Sequence, residues 1–157
     1  MTDNATALIT HLTETGLTLC TVESCTGGLL FSHLTAVPGA SAVLDRGFLT
    51  YSNQAKQDMV GVRPETLAKF GAVSQQTAEE MASGGQMTAG TSLSVSLTGI
   101  AGPDGGSDEK PVGLVWISVC DQAGCQQTKD HYFTGDRQQI REAACEAAMA
   151  MLIEMSS

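Results

Sequence analysis

The chain has 157 residues, of which 17 are acidic and 8 are basic, so its formal net charge is −9 with neutral histidines. This length favours one domain, and a hydrophobic content of 42% is typical of a globular interior rather than of a disordered chain. No stretch gathers basic residues into a patch that could displace counterions from a phosphate backbone. The composition therefore argues against nucleic acid and against a membrane surface as partners.

The start of the chain and its cysteines favour a cytoplasmic protein. The first ten residues contain no Lys or Arg, which a secretory signal requires, and no apolar run approaches the ~18 residues of a membrane span. The five cysteines are odd in number and lack the spacing of a disulfide framework, which fits a reducing compartment. Two pairs, Cys20 with Cys25 and Cys120 with Cys125, lack the further ligands of a zinc site, so we expect no metal and interpret them as core residues.

Hydrophobic periodicity and capping signals predict alternating helices and strands along the chain. Helices are predicted over residues 3–15, 24–37 and 53–59, and from Pro64 to near Gly71. A further helix is predicted from the Ser74 cap to Gly84-Gly85, and these two glycines should fray the end of that helix. The last helix is predicted to start at the Asp136 cap. Strands are predicted over residues 17–22, 41–51, 91–97, 112–120 and 126–133, the last two as a hairpin. With no linker or repeat between them, these elements predict one α/β domain with helices on both faces of a sheet.

Three loops lie at predicted strand ends, where α/β sheets place ligands. The first, residues 23–28, leads into a predicted helix whose first N–H groups could bind an anion or a developing oxyanion. Ser24 is a candidate nucleophile, and Cys25 is its rival because a helix N-terminus lowers the pKa of a thiol. The competing interpretation is that Ser24 or Thr26 only caps the helix.

The second loop runs from Arg46 to Lys56 and includes Tyr51. A serine nucleophile needs a base, and because the three histidines lie outside every candidate loop, a lysine is the alternative. A lysine must be neutral to act as a base, so its pKa must fall by ~3 units, which corresponds to ~4 kcal/mol of desolvation and neighbouring charge. The competing interpretation is that Lys56 is a solvated helix residue and Tyr51 a core ring.

The third loop, residues 98–106, is rich in glycine. Its glycines, Gly99, Gly102, Gly105 and Gly106, would let the backbone approach a ligand and present N–H groups to phosphate or ribose oxygens. The loop matches neither the dinucleotide fingerprint nor the P-loop, and glycine-rich loops are often only turns.

Four segments, in this order and spread over nearly the whole chain, resemble the CinA C-terminal domain family. They are Val22-Glu23-Ser24-Cys25-Thr26-Gly27-Gly28, residues 47–56, residues 98–106 and Gly135-Asp136-Arg137. The family includes stand-alone nicotinamide-nucleotide amidases, also called PncC, and fused proteins in which this domain follows a larger N-terminal domain. At 157 residues the chain looks like the stand-alone form, with one amidohydrolase domain over residues 1–157.

The resemblance implies a three-layer α/β/α fold with a mixed sheet, and hydrolysis of nicotinamide mononucleotide to nicotinate mononucleotide and ammonia in pyridine-nucleotide salvage. It implies Ser24 as the nucleophile, Tyr51 and Lys56 as the proton relay and base, and the N–H groups of the turn at Cys25 to Gly27 as oxyanion donors. No cofactor is required, and a homo-oligomer such as a dimer is expected. The alternative from another class is a non-catalytic nucleotide-binding or regulatory module of the competence- and damage-inducible type.

The substrate-binding residues that we predict come from these segments and from basic residues beside them. They are Cys25, Thr26, Gly27, Gly28, Arg46, Asn53, Thr98, Gly99, Gly102, Gly105, Gly106, Lys110, Arg137 and Arg141. Among them Arg46, Lys110, Arg137 and Arg141 are the candidates for the substrate phosphate, because guanidinium forks match phosphate geometry. Since the net charge would repel a phosphate ester, we expect these four and Lys56 to form a small positive pocket on a negative protein.

Overall fold

The computed structural model describes residues 2–157 and contains every predicted helix and strand, with shifted ends. The helices are α1 (Thr2–Thr15), α2 (Leu29–Thr35), α3 (Asn53–Val60), α4 (Pro64–Phe70), α5 (Gln75–Ala89) and α6 (Arg137–Ser156), with a short 3₁₀ turn over Ala40–Ala42. The strands are β1 (Leu19–Glu23), β2 (Leu44–Leu49), β3 (Leu93–Gly99), β4 (Leu114–Asp121) and β5 (Gln126–Tyr132). No helix within residues 2–157 is long and apolar enough to span a membrane.

The strands form one mixed sheet in the order β2-β1-β3-β4-β5. β1 pairs in parallel with both β2 and β3, whereas β4 pairs antiparallel with both β3 and β5. The chain leaves β1 for one neighbour, β2, and reaches the other neighbour, β3, only later. α/β sheets bind ligands at such a reversal, beyond the carboxyl ends of the strands, so the end of β1 is the expected place for a site.

Helices cover both faces of this sheet. On one face α1, α2 and α6 contribute Leu8, Leu30 and Ile140 to the larger hydrophobic cluster. On the other face Val60 of α3 and Met81 of α5 pack in a second cluster, which also includes a residue of α4. The predicted three-layer α/β/α arrangement with a mixed sheet is confirmed.

The segment after β1 differs from the prediction. α2 begins at Leu29 rather than at residue 24, because Gly27 and Gly28 have positive φ angles of 56° and 98°, which an α-helix does not adopt. Gly28 occupies the N-cap position and no side chain caps the helix there. The interpretation of Ser24 or Thr26 as a simple helix cap is therefore wrong.

The two glycines of α5 also behave differently from the prediction. The helix continues through Gly84 and Gly85 to Ala89 without fraying. A Cβ on Gly84 would overlap the carbonyl oxygen of Val60, and a Cβ on Gly85 would overlap the side chain of Val22. The glycines therefore let α5 pack directly against the end of α3 and against β1.

Candidate active site

The carboxyl ends of the three parallel strands converge on one cavity. Two hydrogen bonds extend the sheet past β1: the N–H of Ser24 donates to the carbonyl of Leu97 at 3.0 Å, and the N–H of Thr50 donates to that of Glu23 at 2.9 Å. The cavity has a volume of about 330 Å³, which is within the range of small-molecule sites. Its position at the end of β1 agrees with the expectation from the sheet order.

Many of the predicted site residues line this cavity. They are Ser24, Cys25, Tyr51, Asn53, Lys56, Thr98, Gly99, Gly102, Gly105 and Arg137. The remaining lining residues, which sequence reasoning missed, are Ala72, Val73, Ile100, Ala101 and Asp104. Three of these lie inside the glycine-rich loop, whose motif was the available signal, whereas Ala72 and Val73 follow α4 without any motif.

A buried lysine touches the candidate nucleophile. Lys56 lies on α3 and is 1% exposed, and its Nζ is 2.9 Å from Ser24 Oγ. The same Nζ donates to the carbonyl oxygens of Thr50 at 2.8 Å and Tyr51 at 3.2 Å. Burial lowers the pKa of Lys56 from 10.5 to about 8. The interpretation of Lys56 as a solvated helix residue is wrong.

These contacts can be made by a protonated or by a neutral amine. A neutral lysine has two N–H groups and one lone pair, and the carbonyls of Thr50 and Tyr51 accept its two N–H groups. In the structure the third partner, Ser24 Oγ, accepts from Nζ at 2.9 Å, and in a neutral lysine the lone pair would face this oxygen. Proton transfer from Ser24 to a neutral Lys56 therefore requires the hydroxyl to rotate from the Tyr51 carbonyl toward Nζ, whereas the lysine can stay in place.

Tyr51 contributes to the pair through its main chain. Its carbonyl accepts from Lys56 and, at 3.4 Å, from the hydroxyl of Ser24. Tyr51 is 64% exposed, so the interpretation of its side chain as a core ring is wrong. Its phenol oxygen accepts from Nη2 of Arg137 at 3.4 Å. Within residues 2–157 the phenol makes no hydrogen bond with Ser24 or Lys56, so a relay through it has no direct contact here.

Cys25 lines the cavity, but its burial favours the neutral thiol over the reactive thiolate. Burial, the largest effect, raises its pKa to about 11, which is opposite to the lowering expected for a helix N-terminus. The five cysteines are free thiols. Ser24, which has an amine within hydrogen-bonding distance, is therefore the better placed nucleophile.

The turn that carries Ser24 is held by protein groups on several sides. The hydroxyl of Thr26 donates to Oε1 of Glu23 at 2.7 Å, and Arg141 of α6 donates to the carbonyls of Cys25 at 3.1 Å and Thr26 at 2.9 Å. Thr26, Gly27, Gly28 and Arg141 do not line the cavity. The position of Arg141, behind the turn, argues against its predicted contact with the substrate phosphate.

Most N–H groups at the start of α2 are occupied. Those of Leu30 and Phe31 donate to the Glu23 carboxylate at 3.0 Å and 3.1 Å, and that of Gly27 donates to the carbonyl of Ser24 at 3.1 Å. The expectation that the first helical N–H groups bind an anion is wrong for these donors. The N–H groups of Cys25 and Thr26 donate to no other residue in the described part of the chain.

The predicted cluster of five basic residues is wrong. Lys56 and Arg137 line the cavity, but Lys110 Nζ donates to the carbonyl of Phe70 at 2.7 Å and does not line it. Arg46 lies on the edge strand β2, where it pairs with the neighbouring carboxylate of Asp45. Nearness to a motif along the sequence did not bring these side chains to the site.

Part of the glycine-rich loop packs against the protein itself. A Cβ on Gly106 would lie 2.7 Å from the backbone nitrogen of Val112, and a Cβ on Gly102 would overlap the Val112 side chain. Gly106 does not line the cavity. Arg137 Nη1 donates to the carbonyl of Gly102 at 2.8 Å and so ties this loop to α6. The presence of glycine at these positions is therefore explained by close packing within the protein as well as by access for a ligand.

Comparison with known proteins places the chain in a family. The model of the CinA C-terminal domain matches residues 1–156. The chain is 49% identical over 137 residues to the nicotinamide-nucleotide amidohydrolase PncC of Escherichia coli, and the match covers 87% of this chain and 83% of that protein. It is 50% identical over 130 residues to a putative competence-damage inducible protein of Acetivibrio thermocellus, but spans only 31% of that longer relative.

Solved structures show the same fold. The competence/damage inducible protein CihA of Agrobacterium tumefaciens has a TM-score of 0.97 and 47% identity, with 99% of this chain and 95% of that chain covered. A CinA superfamily protein of Klebsiella pneumoniae has a TM-score of 0.95 and 37% identity, with 99% and 96% covered. The chain belongs to the CinA C-terminal domain family.

Proposed function

We propose that this protein is an amidohydrolase that converts nicotinamide mononucleotide to nicotinate mononucleotide and ammonia, within pyridine-nucleotide salvage in the cytoplasm. The observation that carries the proposal is the contact of 2.9 Å between Ser24 Oγ and the buried amine of Lys56. The name of the E. coli relative supports the substrate. We further propose that residues 1–157 act as one domain.

Acylation begins with a proton transfer inside this pair. The neutral amine of Lys56 takes the Ser24 hydroxyl proton while Oγ forms a bond to the carboxamide carbon. The carbonyl oxygen becomes an oxyanion, for which the N–H group of Cys25, which lines the cavity, is the proposed donor. When the intermediate collapses, the carbon–nitrogen bond breaks, and the Lys56 ammonium donates its proton to the leaving nitrogen, which departs as ammonia.

Deacylation repeats the same transfers with water. Lys56, neutral again, takes a proton from a water molecule whose oxygen attacks the ester carbon on Ser24. The bond to Ser24 Oγ then breaks, the proton returns from Lys56 to that oxygen, and nicotinate mononucleotide leaves as the carboxylic acid, which loses its remaining proton to water. Throughout, the carbonyls of Thr50 and Tyr51 hold the amine in place.

The charges in the cavity suit both ends of this substrate. Arg137 is the lining side chain that can pair with the phosphate by two parallel hydrogen bonds. Asp104 is the lining carboxylate, and it can balance the positive pyridinium ring or accept from ribose hydroxyls. The exposed ring of Tyr51 offers an aromatic face to the same cation.

Ammonia release from nicotinamide mononucleotide, without added metal, tests the proposal. We expect Ser24→Ala and Lys56→Ala to lose at least roughly 1000-fold in kcat while remaining folded, as removal of a nucleophile or its base does elsewhere. Ser32→Ala and Lys69→Ala, which change exposed residues outside the cavity, are the matched controls. Nicotinamide riboside and nicotinamide as substrates show whether the phosphate is recognised.

Two outcomes would contradict the proposal. Full activity of Ser24→Ala, together with an inactive Cys25→Ala and inactivation by iodoacetamide, would assign the nucleophile to the thiol. A saturable thermal shift with the nucleotide but no ammonia over hours would make the protein a binding module.

A further inference from the structure

We infer that Glu23 is a positioning residue, whose buried carboxylate and main chain together fix the Ser24 turn and the Lys56 loop relative to each other. Glu23 directly precedes Ser24 and is fully buried. It does not line the cavity, so it acts through other residues and not on the substrate. The reaction that it serves rests on the proposed function, whereas the geometry that it imposes does not.

The carboxylate joins the turn to the first turn of α2. Its Oε1 accepts from the hydroxyl of Thr26 at 2.7 Å and from the N–H of Leu30 at 3.0 Å, and its Oε2 accepts from the N–H of Phe31 at 3.1 Å. Residues 24–28 are thus closed into a loop whose two ends both meet Glu23. The negative charge also lies at the N-terminus of the helix, where the peptide dipoles favour it.

A residue of β1 makes a longer hydrogen bond to the same carboxylate. The hydroxyl of Thr21 donates to Oε2 at 3.3 Å. All four hydrogen-bond partners of the carboxylate are donors, an arrangement that suits a group that only accepts. A glutamine would turn an amide N–H₂ toward one of the N–H groups of α2, so donor would face donor.

The main chain of Glu23 reaches the base. Its carbonyl accepts from the N–H of Thr50 at 2.9 Å and from the Thr50 hydroxyl at 3.3 Å. The carbonyl of Thr50 in turn accepts from Lys56 Nζ at 2.8 Å. One residue therefore holds the nucleophile turn with its side chain and the loop of the base with its backbone.

A displaced Ser24 should affect the chemical step more than binding. A shift of about 1 Å in a reacting group can cost roughly 100-fold in rate. Because Glu23 and Thr26 lie outside the cavity lining, their loss should lower kcat and leave KM nearly unchanged. A merely structural role would instead lower the melting temperature or the folded fraction while each folded molecule kept its kcat.

Variants of the two hydroxyls that share this carboxylate provide a matched test. Thr26→Val removes the donor on the turn, Thr26→Ser restores it, and Thr21→Val removes the donor on the strand. Glu23→Gln tests the carboxylate itself. If Glu23→Gln does not fold, the threonine variants still decide the question. We expect roughly a tenfold or greater loss of kcat in Thr26→Val, and values close to wild type in Thr26→Ser and Thr21→Val.

A second readout does not depend on the substrate. A small sulfonyl fluoride forms a sulfur–oxygen bond with Ser24 as fluoride leaves and Lys56 takes the proton, and intact mass reports the rate, with Ser24→Ala as the blank. We expect the rate of sulfonylation to fall in Thr26→Val and to stay close to wild type in Thr26→Ser and Thr21→Val. Wild-type rates in Thr26→Val and Glu23→Gln, or equal losses in Thr26→Val and Thr21→Val, would overturn the inference.

The two readouts separate this inference from the proposed function. Sulfonylation in the expected order without ammonia release would support the positioning role and reject the amidase. No reaction of the wild-type Ser24 with the probe would overturn both.

Discussion

The burial of one residue, Lys56, lowers the stability of the folded protein. A lysine that is 1% exposed, without a carboxylate among its hydrogen-bond partners, is destabilised in its charged form. That penalty lowers its pKa to about 8, which is close to the pKa that the proposed role as a base requires. The fold therefore loses stability as the pH falls below 10.5, and the full cost is present below about 8, where the buried amine is protonated.

Lys56→Met should reveal this cost through the pH dependence of stability. The pKa of Lys56 is about 8 in the folded chain and 10.5 when unperturbed, so between these values the unfolded state binds more protons. The wild type should therefore gain stability relative to Lys56→Met as the pH rises from 8 to 10.5, by about 3 kcal/mol. Urea unfolding of both proteins at several pH values measures the difference. A constant difference would contradict a lowered pKa.

At the scale of elements, the site depends on how closely α5 and α3 pack. α3 carries Lys56 and ends at Val60, whose carbonyl lies where a side chain on Gly84 would have to go. On the other side, α6 contributes Arg141 to the carbonyls of the nucleophile turn. Helices from both layers therefore position Lys56 and Ser24 relative to each other.

Gly84→Ala tests this packing by the sign of its effect. In an exposed helix interior this change stabilises by about 1 kcal/mol, but here the new methyl group overlaps the Val60 carbonyl. We expect a net loss of about 1–3 kcal/mol, typical of overpacking, and a lower kcat because α3 must move. Thr88→Ala, an exposed change on the same helix, should be nearly neutral. Chemical denaturation and ammonia release measure both effects, and a stabilised, fully active Gly84→Ala would contradict the account.

The helices, the strands and the pair of Ser24 and Lys56 could be predicted from the sequence, but the contacts that hold this pair in place could not. Ser24 and Lys56 stand in recognisable motifs, so their meeting at the end of β1 could be predicted. Arg141 was predicted to bind substrate, yet it donates to the carbonyl of Cys25, which is 116 positions away. Whether a basic side chain binds a ligand or a backbone carbonyl depends on how the helices pack against the sheet, and a local sequence pattern does not contain this information.

The whole molecule carries a net negative charge, whereas two basic residues line its cavity. The net charge is −9, and Lys56 and Arg137 are the basic residues that line the site in the described chain. Most of the acidic residues therefore act on the substrate only at long range, where salt screens them. The Debye length falls from about 30 Å at 0.01 M to about 8 Å at physiological ionic strength.

Salt should consequently help the anionic substrate. We expect kcat/KM for nicotinamide mononucleotide to rise by roughly twofold or more from 0.01 M to 0.15 M salt, because the repulsion by the whole protein is screened. Nicotinamide riboside, a cation without phosphate, should show the opposite trend and serves as the control. A fall for the nucleotide would mean that the local cations dominate.

The pH dependence of kcat/KM for ammonia release tests most directly whether Ser24 is activated by a neutral Lys56. Measured with nicotinamide mononucleotide from pH 6.5 to 9.5, it reports the pKa of the base in the free enzyme, since the substrate phosphate has largely lost its second proton there. We expect kcat/KM to rise about tenfold per pH unit and to level off above the Lys56 pKa of about 8. A profile that is flat across this range would contradict it.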